Sequence, residues 1–168
     1  MDKARPDVYR SSVILVDEGE PLEFGGVTGR LKIDGSDSGE RFAVAHFPAI
    51  PPHALAAPLH RHHNEDEYSC VLAGTLTVQL GASIVTADAG TWILKPRGQW
   101  HTFWNAGDMS CQVIEIVSPA GFQRYFRELA AIGSDMSQLA QLNAKYSIDM
   151  QFDTAATLCT RFGLTFPL

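Results

Sequence analysis

The strongest constraint in this chain is a set of four residues: His60 and His62 two apart, Glu67 five positions further on, and His101 far downstream. Side chains two apart on an extended segment point to the same face, so a strand through His60-Arg61-His62 aims both imidazoles one way. Glu67 stands at an odd offset from His62, so a turn must come between them, and His63-Asn64-Glu65-Asp66 has the polarity of one. Two neutral imidazole nitrogens and a carboxylate suit a divalent first-row transition metal, and a third imidazole from His101 leaves positions open for water or substrate. A lone histidine or glutamate is usually a surface or satisfied core residue; the four together point to ligands. His63 reads as solvated beside the turn, His53 sits among Pro51, Pro52 and Pro58 in a loop, and His46 is ambiguous.

The spacing is longer than the ligand set. From His60 the chain reads H-x-H, four residues, Glu67, six residues, Gly74; later it reads Gly90, five residues, Pro96-x-Gly98, two residues, His101, three residues, Asn105. These runs resemble the paired motifs of the cupin superfamily, in particular its single-domain, quercetinase-like (cupin 2) members. The second run fits at every defined position. The first departs once, with Ala54 where the family pattern has a glycine that serves a turn. The resemblance covers roughly residues 40–118 and is specific, because two long motifs agree in order and separation.

Strand and turn signals run through the same region. The segment 8–16 (VYRSSVILV) reads as a first short strand, and Leu22 to Ile33 as paired strands bent at glycines. After the turn cluster 34–39, Arg41–Phe47 alternates so that Phe42, Val44 and His46 share a face; His46 then looks inward or, equally, faces water at an edge. From Glu67, Thr75, Ile84 and Thr91 short strands follow one another, divided at Gly74, Gly81 and Gly90. Pro96-Arg97-Gly98 makes a turn that presents His101 at the start of the next strand, with Phe103 and Asn105 on its face. In Cys111–Val117 the polar exceptions are Gln112 and Glu115. A buried carboxylate is costly unless paired, so Glu115 points outward or serves a buried role such as orienting a ligand imidazole, and the outward or paired structural role is the favoured expectation. Past Ser118-Pro119 the period changes to three and four: Phe122, Tyr125, Phe126, Leu129 and Ile132 make one amphipathic helix ended by Gly133, and Met136, Leu139, Leu142 and Tyr146 a second, capped by Ser134 or Asp135. Leu142–Ile148 and Leu158–Leu164 echo each other as two small helical units, each with an extended tail.

About ten strands followed by helices imply a mainly β fold, a double-stranded β-helix or jelly-roll barrel, over 1–118 with motifs at 54–74 and 90–105. Residues 119–168 form a helical C-terminal appendage. The 168 residues, 45% hydrophobic, suffice for one such core. The net charge of -6, with no lysine or arginine cluster, argues against nucleic acid as partner. Cys70, Cys111 and Cys159 are odd in number and widely spaced, as reduced thiols of a cytoplasmic protein are; the first residues lack an apolar leader, and no run is long enough for a membrane span.

The resemblance implies a metal-dependent enzyme. His60, His62, Glu67 and His101 bind the ion, which the set leaves open among iron, manganese, nickel, cobalt, copper and zinc. Glu67 doubles as the proton acceptor, and Ser69, Val71 and Phe103, which share faces with the ligands, line the substrate pocket. The leading expectation is dioxygenase-like chemistry on an enolic or phenolic small molecule. Alternatives are redox-neutral isomerisation or decarboxylation, with His46 or Glu115 as the extra acid or base, and metal or small-molecule binding without catalysis. Trp92, Trp100 and Trp104 fall on other registers, outside the barrel or at a subunit contact; their aromatic surface and the resemblance together imply a homodimer.

Overall fold

The computed structural model describes residues 13–24, 26–132 and 136–166. Two antiparallel sheets face each other as a mainly β jelly roll, and helices follow near the C-terminus, as the strand spacing implies. Among the described residues the elements are β1 (Glu20–Phe24), β2 (Val27–Ile33), a single helical turn α1 (Gly35–Ser38), β3 (Ala43–Ile50), β4 (Leu59–His62), β5 (Asp66–Ala73), β6 (Thr75–Leu80), β7 (Ser83–Asp88), β8 (Trp92–Lys95), β9 (His101–Trp104), β10 (Cys111–Ser118), α2 (Gln123–Ile132), α3 (Met136–Lys145), β11 (Ile148–Gln151) and α4 (Asp153–Phe162). One sheet runs β1-β2-β3-β10-β5-β8 and the other β11-β4-β9-β6-β7.

Period-2 alternation sets the core. Ala43, Ala45 and Phe47 of β3, Val71 of β5, Leu76 and Val78 of β6, Ile93 of β8 and Val113 of β10 are buried between the sheets. The face expected of Phe42, Val44 and His46 is therefore the outer one. His46 is only half-buried there, its Nε2 2.9 Å from Gln112 Nε2 and its backbone opposite Ile114 and Arg30. Register decided this, since a strand of alternating small and large apolar residues carries no parity of its own.

The strand expected over 8–16 is not formed where the structure describes it; Val8 to Ser12 lie outside the described residues. Leu15 and Val16 instead turn their carbonyls to the Lys32 ammonium at 2.8 Å each, and Glu18 does the same, so these acceptors bond a side chain and not a neighbouring strand. Ala54 fits where the motif has glycine because the left-handed residue of that loop is its predecessor, His53, with φ 56°.

The C-terminal segment is woven into the barrel. β11 pairs with β4, placing Ile148 opposite His62 and Met150 opposite His60, and so covers the sheet edge that carries both histidines. α4 lays Ala155 and Leu158 on Leu55 and Trp104, and Trp104, fully buried, stacks on Phe162 at 4.9 Å. Of the three tryptophans, then, Trp104 packs outside the barrel under its own chain, Trp100 lies under the Arg61 guanidinium, and Trp92 remains 62% exposed. The expected stop at Gly133 and cap at Ser134 or Asp135 lie outside the described residues; α2 and α3 on either side run as the apolar spacing implies.

Candidate metal centre

β4 aims His60 and His62 inward, with Leu59 and Arg61 on the other parity less buried. β9 starts at His101 directly opposite His60 in the ladder. β5 brings Glu67 in from the other sheet. One ligand atom from each of these four buried residues lies within 4.8 Å of the others. The turn before Glu67 is less polar in space than in sequence: Asp66 already belongs to β5, and Glu65 is buried with Oε2 3.5 Å from His62 Nδ1.

Second partners select the tautomers. His60 Nδ1–H donates to Pro58 O and His101 Nδ1–H to Gln99 O, both at 2.9 Å, which leaves the two Nε2 lone pairs for the centre. Burial, with His101 and His62 beside it, holds His60 well below the usual histidine range, so its ring is neutral and ready to ligate. Neither nitrogen of His62 has a hydrogen-bond partner, and its Nε2 is 3.6 Å from Glu67 Oε1. A buried polar group left without a partner costs about 1–3 kcal/mol. A divalent cation at the convergence satisfies the Nε2 on the Glu67 side, while Nδ1 faces the Glu65 carboxylate at 3.5 Å, so the donor set fits a first-row transition metal with open positions.

A charged layer lies beside the ligands. Lys95, 1% exposed, faces Glu67 across the β5–β8 ladder, while Glu115 faces Ser69 across the β5–β10 ladder on the other side. Lys95 Nζ is 2.7 Å from Glu115 Oε1 and 3.4 Å from Glu67 Oε2, and the Ser69 hydroxyl donates to Glu115 Oε2 at 2.8 Å. Although burial works against both charges, Glu115 and Glu67 hold Lys95 above the usual lysine range, and Lys95 and His62 hold Glu67 well below the usual carboxylate range. For Glu115, burial leads and raises the carboxyl, with Lys95 opposing.

Of the other residues singled out from the sequence, Ser69 is committed to Glu115, Val71 sits in the hydrophobic core, and Phe103 presents its ring 5.0 Å from the Lys95 ammonium. Glu115 points inward and takes the paired role. Lys95, Glu65 and Phe122 were not singled out. Lys95 carried one signal, its shared parity with the buried Ile93 in β8, but Trp92 and Leu94 made the opposite face look like the apolar one. Phe122, the residue before α2, packs edge-on against His62 at 4.3 Å and stacks on Tyr125 of α2 at 5.0 Å, so aromatic rings cover the His62 side.

Residues 47–117 match the family model described as "Cupin domain". Among curated proteins the chain is similar to mannose-1-phosphate guanylyltransferase 2 of Escherichia coli O157:H7, at 35% identity over 89 residues. That stretch is 52% of this chain and only 18% of the relative, so the chain spans under a fifth of the curated protein it matches. Solved structures share the fold. KdgF from Halomonas sp. superimposes with a TM-score of 0.57 at 17% identity, covering 67% of this chain and 99% of that one. A predicted oxalate decarboxylase from Thermotoga maritima gives 0.56 at 19% identity, covering 64% and 98%.

Proposed function

We propose, from the premise that this chain belongs to the cupin superfamily, that it is a metal-dependent enzyme of small-molecule chemistry, dioxygenase-like and acting on an enolic or phenolic substrate. The observation that carries this reading is the convergence of His60, His62, Glu67 and His101, all buried, with two of the three imidazoles already locked in the ligating tautomer. A bound divalent ion supplies Lewis acidity that lowers the pKa of an enol or phenol oxygen. Three imidazoles and one carboxylate leave a dication with one net positive charge, which suits an anionic oxygen ligand.

The chain's own residues then have these roles. His60, His62 and His101 hold the ion, Glu67 holds it and accepts the substrate proton, and Phe122 beside His62 excludes water and favours a flat ligand. The free thiols of Cys70, Cys111 and Cys159 accord with a reducing, cytoplasmic setting. None of the described helices is long and apolar enough to cross a membrane.

A second reading is favoured by one observation. The inward Lys95–Glu115 pair gives the centre an ionisable group besides Glu67, as redox-neutral isomerisation or decarboxylation needs, and the curated relative is named for a sugar phosphate. Elemental analysis of protein purified without a histidine tag, followed by oxygen uptake with flavonols and diketones, tests the first reading. Metal-loaded protein that consumes no oxygen with any of them, and instead converts a sugar phosphate, overturns it in favour of the second.

A further inference from the structure

Lys95 occupies a place that composition does not lead one to expect: a fully buried ammonium between two carboxylates, one of them a residue of the metal set. Ladder register puts it there. β5 is flanked by β8 and β10, so the inward side chains of the three strands, Lys95, Glu67, Ser69 and Glu115, form one connected patch on the inner face. Each member is engaged. Ser69 donates to one oxygen of Glu115, Lys95 meets the other, and the same ammonium reaches Glu67 Oε2.

We infer that Lys95 is a positioning residue of the metal centre: anchored by Glu115 and Ser69, it holds the Glu67 carboxylate in the orientation that ligates. This rests on the metal-centre reading above and adds to it how one ligand is aimed. Glu67 enters from the sheet opposite the three histidines, so its orientation is not set by the ladder that aligns His60 with His101. A carboxylate side chain with free torsions points reliably only when a second group fixes it. Two facts separate this role from a charge effect. The Lys95–Glu115 pair is neutral as a unit, so removing both leaves the net charge around a bound cation unchanged. Removing Lys95 alone takes away a positive charge, which by Coulomb's law favours a dication.

The test is metal affinity, read without turnover. Metal-free wild type, K95M/E115L and K95Q/E115Q are titrated with cobalt(II) against a competing chelator, and the visible absorption of each cobalt form is recorded. Both double variants conserve net charge because they remove the buried Lys95–Glu115 pair together, and thermal melting shows that each is folded; the second serves if the first is not. The expected result is cobalt affinity ten- to a hundredfold weaker than wild type, with an altered cobalt spectrum, in a folded protein. Wild-type affinity and spectrum in a folded double variant overturn the inference and leave the metal reading standing. Failure of the wild type to bind cobalt overturns both.

Discussion

Gly98 donates its backbone N–H to the carbonyl of His62 across 2.6 Å, so the turn of the second motif is pinned to the strand of the first. Beside it, the Arg97 guanidinium grips both carboxylate oxygens of Asp66, Nε at 3.1 Å and Nη2 at 2.7 Å. Gly98 has φ 77°, a region that costs an L-residue roughly 1–2 kcal/mol, and a Cβ there meets nothing within 4 Å. G98A should therefore destabilise by about 1 kcal/mol through backbone strain alone, measured by urea unfolding, and weaken metal binding because His101 follows three residues later. Unchanged stability and affinity together refute the pinning role.

H62A and H101A should each lose most bound metal while the barrel stays folded, as elemental analysis and circular dichroism report. The core is built from residues such as Phe47, Val71 and Val113, not from the ligands. Stoichiometric metal in either variant, with unchanged coordination, rejects the ligand assignment.

Glu65 gives a subtler case. Its carboxylate stands 3.5 Å from His62 Nδ1, on the side of the ring away from Glu67. E65Q keeps the volume and removes the charge that favours an Nδ1–H, so metal affinity should fall about tenfold with little change in melting temperature. An affinity equal to wild type means that Glu65 is there only for packing.

Arg127 of α2 bonds Glu20 of β1 and the α1 cap Asp34, and so ties the helix to the first hairpin. Partial burial works against the Asp34 charge, but the Ser36 amide and Arg127 hold its pKa at about 2, against an ordinary 3.8. A depressed folded value means stabilisation that is fully present above the unfolded pKa and lost as pH falls through the folded one, here from about 4 down to about 2. R127M should cost about 1 kcal/mol at neutral pH and flatten that acid decline in stability. Parallel wild-type and R127M curves through the window would remove the clamp.

Assembly is open to a direct measurement. Leu72, Val85, Trp92 and Leu94 are exposed apolar side chains on β5 and the edge strands β7 and β8, a surface suited to a second copy of the chain. Sedimentation should give twice the 18.4 kDa chain mass, and W92E should shift it toward the monomer. A wild-type monomer at micromolar concentration ends the idea.

What the sequence determined by itself was local and periodic. Parity within four residues aims His60 and His62 together, the motif spacings place Gly74, Gly98 and His101, and the change from period two to periods of three and four marks where strands give way to α2. Each of these depends on neighbours along the chain, and the backbone geometry of strands and turns converts such spacing into direction. Tertiary structure decided which face of an ambiguous strand turned in. β8 carries Trp92 and Leu94 on one face and Ile93 and Lys95 on the other, and hydrophobicity alone favours burying the first pair. Pairing with β5 chose the second, because Glu67 and Glu115 lie where the Lys95 ammonium is matched by charge. The same holds for Trp104, which needed α4 to be buried, and for Phe122, which meets His62 only through the tertiary fold. A long-range partner sets the free energy of such a residue, and no window of sequence contains that partner.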